Sequence, residues 1–155
     1  MRRVLFLSER NTGRSLMAEA YVRLLGGEDF QVESAGFAPG VVTPLVAEIM
    51  AEEGVDLAGH QGSDAMELYR DGLVYDYIIT VCSEAVGGCP EFKGVTHRLR
   101  LPIPDPALAT GNHEEQLAQV RAIRETIKQK MAEFIAWARC GGVRKLGGDW
   151  ELVKS

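Results

Sequence analysis

The segment from Ser8 to Ser15 has the composition and the setting of an anion-binding loop. The apolar run Val4–Leu7 before it predicts a buried strand, and Leu16–Ala20 after it begins a helical pattern. Backbone N–H groups at a helix N-terminus carry a charge of about +0.5 and favour phosphate-like anions. Arg14 adds a planar guanidinium whose paired donors suit such oxygens. We therefore predict an oxyanion cradle here; the alternative is an ordinary strand-to-helix loop. The predicted oxyanion-binding residues follow Ser8 directly: Glu9, Arg10, Asn11, Thr12, Gly13, Arg14 and Ser15.

Strand and helix patterns alternate along the rest of the chain. The predicted strands are Arg3–Leu7, Phe30–Ser34, Tyr75–Val81 and Thr96–Leu101. The predicted helices are Arg14–Leu25, one from a Thr43 cap and Pro44 to about Glu53, a short one within Ser63–Leu73, and a long one after Asn112. This alternation predicts a parallel sheet with helices on both faces.

The last predicted helix is marked by a capping pattern and by a single apolar stripe. Asn112 and Glu115 have the spacing of a capping box. Apolar residues follow at intervals of three and four, which predicts one buried face: Leu117, Val120, Ile123, Ile127, Met131, Phe134 and Ile135.

Three segments that carry candidate catalytic side chains follow predicted strands. Besides the Ser8 loop these are Cys82 and the proline-rich segment 102–106, which contains Asp105 and which we predict to be a rigid loop. Because ligands of parallel sheets bind beyond the carboxyl ends of the strands, the three can meet at one edge.

The bulk properties exclude several classes of protein. The length of 155 residues predicts one domain over 1–139, with a tail over 140–155 whose Trp150 and Leu152 could dock back. The net charge of −5 argues against a nucleic-acid partner, and no apolar stretch reaches the ~20 residues that span a membrane. No secretory signal pattern opens the chain and there are only three cysteines, which predicts a cytoplasmic protein.

Four separated motifs resemble the low-molecular-weight protein tyrosine phosphatase superfamily, and in particular its thioredoxin-coupled arsenate reductases. The family loop is Cys, five residues, Arg-Ser, then a helix with Met-Ala-Glu; here it is Ser8, five residues, Arg14-Ser15 and Met17–Glu19. The other matching motifs are Ser34-Ala35-Gly36, Asp105-Pro106-Ala107, and the pair Cys82 and Cys89. The resemblance covers about residues 1–138. The predicted fold is a four-stranded parallel sheet in the flavodoxin-like order 2-1-3-4.

The resemblance implies roles for these residues. Arg14 and the loop amides would hold the oxyanion, Asn11 would shape the loop, and Ser15 would hydrogen-bond the group at position 8. Asp105 would be the general acid that protonates the leaving group. The implied ligand is phosphate, sulfate, arsenate or a phosphotyrosine protein, with no metal and no cofactor.

The resemblance also implies a redox relay at Cys82 and Cys89, with thioredoxin as the possible reductant. Two ordinary free cysteines, or a thiol sensor that uses these two alone, are the alternatives. A zinc site is not expected, because two thiols at this spacing lack the remaining ligands.

Ser8 decides the activity that the resemblance implies. A cysteine starts near a pKa of ~8.5, and anion loops lower it to ~3.5–7.5, whereas a serine hydroxyl needs an adjacent base. The scattered histidines and the absence of a Gly-x-Ser-x-Gly motif argue against a serine-hydrolase triad. Two hypotheses follow: an enzyme of the reductase or phosphatase type whose turnover is lost with Ser8, and a non-catalytic oxyanion- or phosphoprotein-binding module.

Two origins of Ser8 stay open at this point. The retained cysteine pair and acid favour an engineered change from cysteine. Departures from the commoner family loop at Glu9, Arg10 and Gly13 favour natural divergence.

Overall fold

The computed structural model describes residues 2–81, 97–141, 146–148 and 150–152. Its strands are β1 (Arg2–Ser8), β2 (Phe30–Gly36), β3 (Tyr77–Thr80), β4 (His97–Arg100) and β5 (Glu151–Leu152). Its α-helices are α1 (Arg14–Gly26), α2 (Pro44–Ala51), α3 (Ala65–Arg70) and α4 (His113–Arg139), with short 3-10 turns at Gly27–Asp29 and Pro106–Leu108.

The strands form one sheet in the order β2-β1-β3-β4-β5. The first four are parallel, which confirms the predicted order 2-1-3-4. Val4 on the central strand β1 lies beside Val32 on β2 and Tyr77 on β3. The short β5 pairs antiparallel with β4, a contact that the sequence did not predict.

The buried residues Val4–Leu7 of β1 contribute side chains to the apolar clusters on both faces of the sheet. Val4 and Phe6 belong to a large apolar cluster that includes residues of α1, α2 and α4. Leu5 and Leu7 point to the opposite side, into a smaller cluster with Tyr75 and the first residue of α3. Since successive strand residues face opposite sides, helices on both faces explain why this strand is apolar throughout.

The helix ends show which local signals hold and which do not. The capping box at Asn112 and Glu115 is present at the start of α4. Thr43 is the N-cap residue of α2 and Pro44 follows it at the start of the helix, as predicted, although the Thr43 side chain accepts no capping hydrogen bond. The Thr43 backbone N–H donates to Thr12 O at 2.9 Å. The helix also ends at Ala51 rather than near Glu53, because residues 52–54 turn into Gly54, whose φ is +77°.

The apolar stripe of α4 is buried except at Ile123, which is half-buried. Arg124 is buried beside it, although the pattern of apolar residues gave no reason to expect a charge there. Strands β3 and β4 are shorter than predicted, and Thr96, Cys82 and Cys89 lie outside the described residues.

Candidate active site

The loop between β1 and α1 turns its carbonyl oxygens toward the neighbouring segment 38–43. Three hydrogen bonds make this contact: Ala38 N to Glu9 O at 2.8 Å, Gly40 N to Arg10 O at 3.0 Å, and Thr43 N to Thr12 O at 2.9 Å. In a trans peptide the C=O and the following N–H point in opposite directions. The N–H groups of residues 10, 11 and 13 therefore face the other side, where an anion can bind at the start of α1.

Ser8 forms the floor of this loop. Its Oγ lies 2.8 Å from Ser15 Oγ and accepts a hydrogen bond from Asn11 N at 3.0 Å. Asn11 Nδ2 donates to Ser15 Oγ at 2.7 Å, so the Ser15 hydroxyl proton can be donated to Ser8. Ser8 then accepts twice, and its own proton is free to be donated to an anion oxygen.

Asn11 locks the loop from within. It is fully buried and has a φ of +54°, in the left-handed region that asparagine tolerates better than most residues. Its side-chain oxygen also accepts from Ser63 N at 3.1 Å. One side chain thus joins the loop to α1 and to the segment before α3.

Gly36, at the end of β2, lets that strand approach the loop closely. A Cβ there would lie 2.7 Å from the Arg10 carbonyl carbon and 2.8 Å from Asn11 N. The Gly36 N–H donates to Ser63 O at 2.8 Å. The Ser-Ala-Gly motif of the sequence therefore has a steric reason: only glycine fits against this backbone.

Arg14 begins α1 and is 7% exposed. Its Nη1 donates to Ile103 O at 3.0 Å, and its Nη2 lies 3.9 Å from Asp105 Oδ2. The side chain of Asp105 is 31% exposed, and its other oxygen accepts from Ala107 N at 2.9 Å. The proline-rich segment after β4 therefore lies over the loop and fixes the guanidinium from above.

These groups surround a cavity of about 60 Å³. A single water needs only ~10–15 Å³ of cavity volume, so this cavity has room for a small tetrahedral anion. The cavity is lined by Ser8, Glu9, Arg10, Thr12, Gly13, Arg14, Asp105 and Ala107. Asn11 and Ser15 support it from behind rather than lining it.

The structure thus brings three of the residues predicted to be catalytic, Ser8, Arg14 and Asp105, to one cavity, together with four of the predicted oxyanion-binding residues, Glu9, Arg10, Thr12 and Gly13. The positions of Cys82 and Cys89 lie outside the described residues. Within the described ranges no cluster of histidine, cysteine and carboxylate side chains has the geometry to hold a metal ion.

Two backbone groups at the site were missed by the sequence. Ile103 O holds Arg14, and Ser63 N holds Asn11. Every residue carries such groups, so no residue type marks them. The prolines around Ile103 were the only available signal that its backbone is rigid.

Comparison with known proteins agrees with this geometry. The family model for low molecular weight phosphotyrosine protein phosphatase matches residues 3–140. The arsenate reductase of Halalkalibacterium halodurans is 32% identical over 133 residues, which is 84% of this chain and 93% of that protein. The glutaredoxin arsenate reductase of Synechocystis sp. is 31% identical over 138 residues, with 88% and 98% covered.

Solved structures extend the agreement to the fold. An arsenate reductase in its phosphate-binding state superposes with a TM-score of 0.71 at 30% identity, over 88% of this chain and 98% of that one. A low molecular weight protein tyrosine phosphatase from T. tengcongensis shares the fold, with a TM-score of 0.65 at 22% identity over 88% and 99%. In the part of the chain that the structure describes, no helix is long and apolar enough to cross a membrane. The motifs, the cavity and these matches together establish that this chain belongs to the low molecular weight phosphotyrosine protein phosphatase family, with arsenate reductases among its relatives.

Proposed function

We propose that this chain binds a tetrahedral oxyanion in the Ser8–Ser15 loop and does not turn it over by thiolate chemistry. The observation that carries the proposal is Arg14. Its guanidinium is buried, is fixed by Ile103 O, and faces a cavity at a helix N-terminus. The ligand is phosphate, sulfate or arsenate, free or as the phosphoryl group of a phosphotyrosine protein, and no cofactor is required.

Ser8 supports binding and argues against turnover. Its Oγ contacts are Ser15 and Asn11, neither of which is a base, so nothing among these contacts would ionise the hydroxyl. A thiolate at this position would instead place a negative charge against the bound anion. The neutral hydroxyl can donate to the ligand, and the loop amides and Arg14 remain.

Calorimetry with phosphate, arsenate and a phosphotyrosine peptide tests the proposal. The parent protein should bind at least one of them, and Arg14→Ala should weaken that binding by about 100-fold. Arg23→Ala is the matched control, because Arg23 lies on the same helix, is exposed and does not line the cavity. Equal binding by Arg14→Ala and the parent would contradict the proposal.

A second candidate is an arsenate reductase or phosphatase that becomes active when position 8 is cysteine. The observation that favours it is Asp105, whose carboxyl group lines the same cavity and can protonate a departing oxygen. The thiolate would attack phosphorus or arsenic at that cavity. In the reductase reaction Cys82 would then attack the sulfur at position 8, which would form a disulfide between them, break the sulfur–arsenic bond and release arsenite. Cys89 would next attack the Cys82 sulfur, which would free the thiolate at position 8 and leave a Cys82–Cys89 disulfide for thioredoxin to reduce.

The Ser8→Cys variant tests this candidate with p-nitrophenyl phosphate and with arsenate plus thioredoxin. Activity should appear in one assay and should fall when Asp105→Asn is added. No gain in either assay would rule the candidate out.

We further propose that the protein is cytoplasmic and that it has no nucleic-acid partner, in keeping with its net charge of −5.

A further inference from the structure

The segment after α4 lies beyond the family match, which ends at residue 140. Two of its described residues nevertheless pack in or against the main apolar core. Trp150 is only 8% exposed, and its ring stacks on Phe134 with 6.2 Å between centroids. Leu146 packs against the same cluster. We refer to residues 146–152 as the C-terminal strap.

The strap also covers the edge of the sheet. In β5, Glu151 pairs with Arg100 and Leu152 pairs with Leu99, on the side of β4 that faces away from β3. Without β5, the four-residue strand β4 would be an edge strand with unpaired backbone groups along that side.

Strand β4 leads directly into the segment that covers the cavity. Leu101 N donates to Thr80 O at 2.8 Å, and Leu101 and Ile103 are buried in the same apolar cluster as Trp150. The Ile103 carbonyl holds Arg14 at 3.0 Å, and Asp105 follows two residues later. Ile103, whose carbonyl fixes Arg14, is only three positions after Arg100, where β4 pairs with β5.

We propose that the C-terminal strap is a positioning element for the oxyanion site. It holds β4 through the β5 pairing, and Trp150 anchors it on Phe134 of α4. Strand β4 in turn places Ile103 O against Arg14, and Asp105 over the cavity. None of the residues that line the cavity comes from the strap, so its effect is indirect. The inference rests on the proposed oxyanion binding, of which it names a further determinant.

Two full-length variants test the strap. Trp150→Ala removes its anchor in the core, and Glu151→Pro introduces a residue that cannot donate to the ladder while Trp150 is kept. Both should weaken phosphate binding about tenfold, the size expected when a charge-assisted contact is disturbed. Trp150→Phe should bind like the parent, because it keeps an aromatic ring on Phe134.

The Ile135→Ala variant is the control that separates a general loss of stability from a specific effect on the oxyanion site. Ile135 is a buried residue of α4 in the same cluster, far along the chain from β4, and packs near Gly26 at the opposite end of α1 from Arg14. This variant should lower the melting temperature and leave phosphate affinity unchanged. A matching loss of affinity in Ile135→Ala would overturn the positioning role.

The Arg14 Nε–H resonance in a ¹⁵N NMR spectrum provides a second measurement that does not depend on the ligand. It should shift in Trp150→Ala and Glu151→Pro, and stay in place in Trp150→Phe and Ile135→Ala. If the parent protein binds no phosphate, the proposed function is wrong. The chemical shift of the Arg14 Nε–H resonance then tests the role of the strap by itself. An unchanged Arg14 resonance in both disrupting variants, measured in folded protein, would overturn the inference.

Discussion

Arg14 and Arg124 are equally buried arginines in opposite surroundings. They are 7% and 8% exposed. Arg124 Nη1 donates to Ile49 O at 3.1 Å and to Glu52 at 2.9 Å, and its Nη2 donates to Glu125 at 3.1 Å. Arg14 donates to one backbone carbonyl, and its Nη2 lies 3.9 Å from the carboxylate of Asp105.

The difference separates a structural charge from a binding charge. A buried guanidinium requires anionic partners, because leaving it without them is costly. Arg124 finds these partners within the protein, where it joins the end of α2 to α4. Arg14 lines a cavity that an anion can fill, and its carboxylate contact among the described residues, to Asp105, is 3.9 Å long. Burial alone does not distinguish the two arginines; the carboxylates within reach of each guanidinium do.

The largest expected effect is on Arg14. Arg14→Ala should weaken phosphate binding by about 100-fold, because it removes a charge-assisted pair from a site shielded from water. Arg14→Lys should retain part of the affinity, since it keeps the charge but not the planar fork. Calorimetry measures both. Weakening of the same size in Arg124→Ala would break the comparison.

Arg124→Ala should instead destabilise the fold, by about 2 kcal/mol, as expected for hydrogen bonds to charged groups. Urea unfolding measures this. Arg121→Ala is the matched control: its bridge to Glu52 is solvent-exposed and screened by water, so its loss should lower the free energy of unfolding much less. Equal losses of unfolding free energy in the two variants would show that the burial of Arg124 does not strengthen its contribution to stability.

Asn11→Ala should lower both the stability of the fold and the affinity for phosphate. The change leaves Ser63 N without its acceptor and puts alanine at a φ of +54°, for an expected loss of about 1–3 kcal/mol. The loop should also bind phosphate more weakly. Asn112→Ala removes a helix cap on α4 and should lower stability by about 1 kcal/mol without changing phosphate affinity. Unchanged phosphate binding by Asn11→Ala would show that the loop holds its shape without this side chain.

The smallest effect concerns pH and the network around Arg124. Hydrogen bonds from Arg121 and then Arg124 lower the pKa of Glu52 from 4.5 to about 2. A depressed pKa stabilises the fold above the unfolded value, and this contribution is lost as the pH falls from 4.5 through about 2. Thermal unfolding across that range should show a smaller decline for Glu52→Gln than for the parent. Parallel curves would indicate that solvent screens the pair.

Several features could be predicted because neighbouring residues encode them. The cradle required only a strand, a polar loop and a helix in succession, and the alternation of patterns was sufficient to predict a parallel sheet. The strand order 2-1-3-4 came from the resemblance to the family. The capping box at Asn112 could be predicted because its two residues are close together in the chain. Thr43 shows the limit: the sequence predicts its N-cap position, but its side chain makes no capping hydrogen bond and its backbone N–H donates to Thr12 O in the loop before α1.

The sequence by itself determined the elements and the residues of the oxyanion loop, because each depends on residues that are close together along the chain. It also determined the family, because four separated motifs occur together in one chain. Only the tertiary structure decided which arginine is neutralised and which faces a cavity, that Ile103 O holds Arg14, and that β5 covers the edge of the sheet. The physical reason is that these contacts join backbone and charged groups across 51 to 89 positions. Backbone groups are the same in every residue, and an arginine in a helical pattern does not show which carboxylates folding will bring to it.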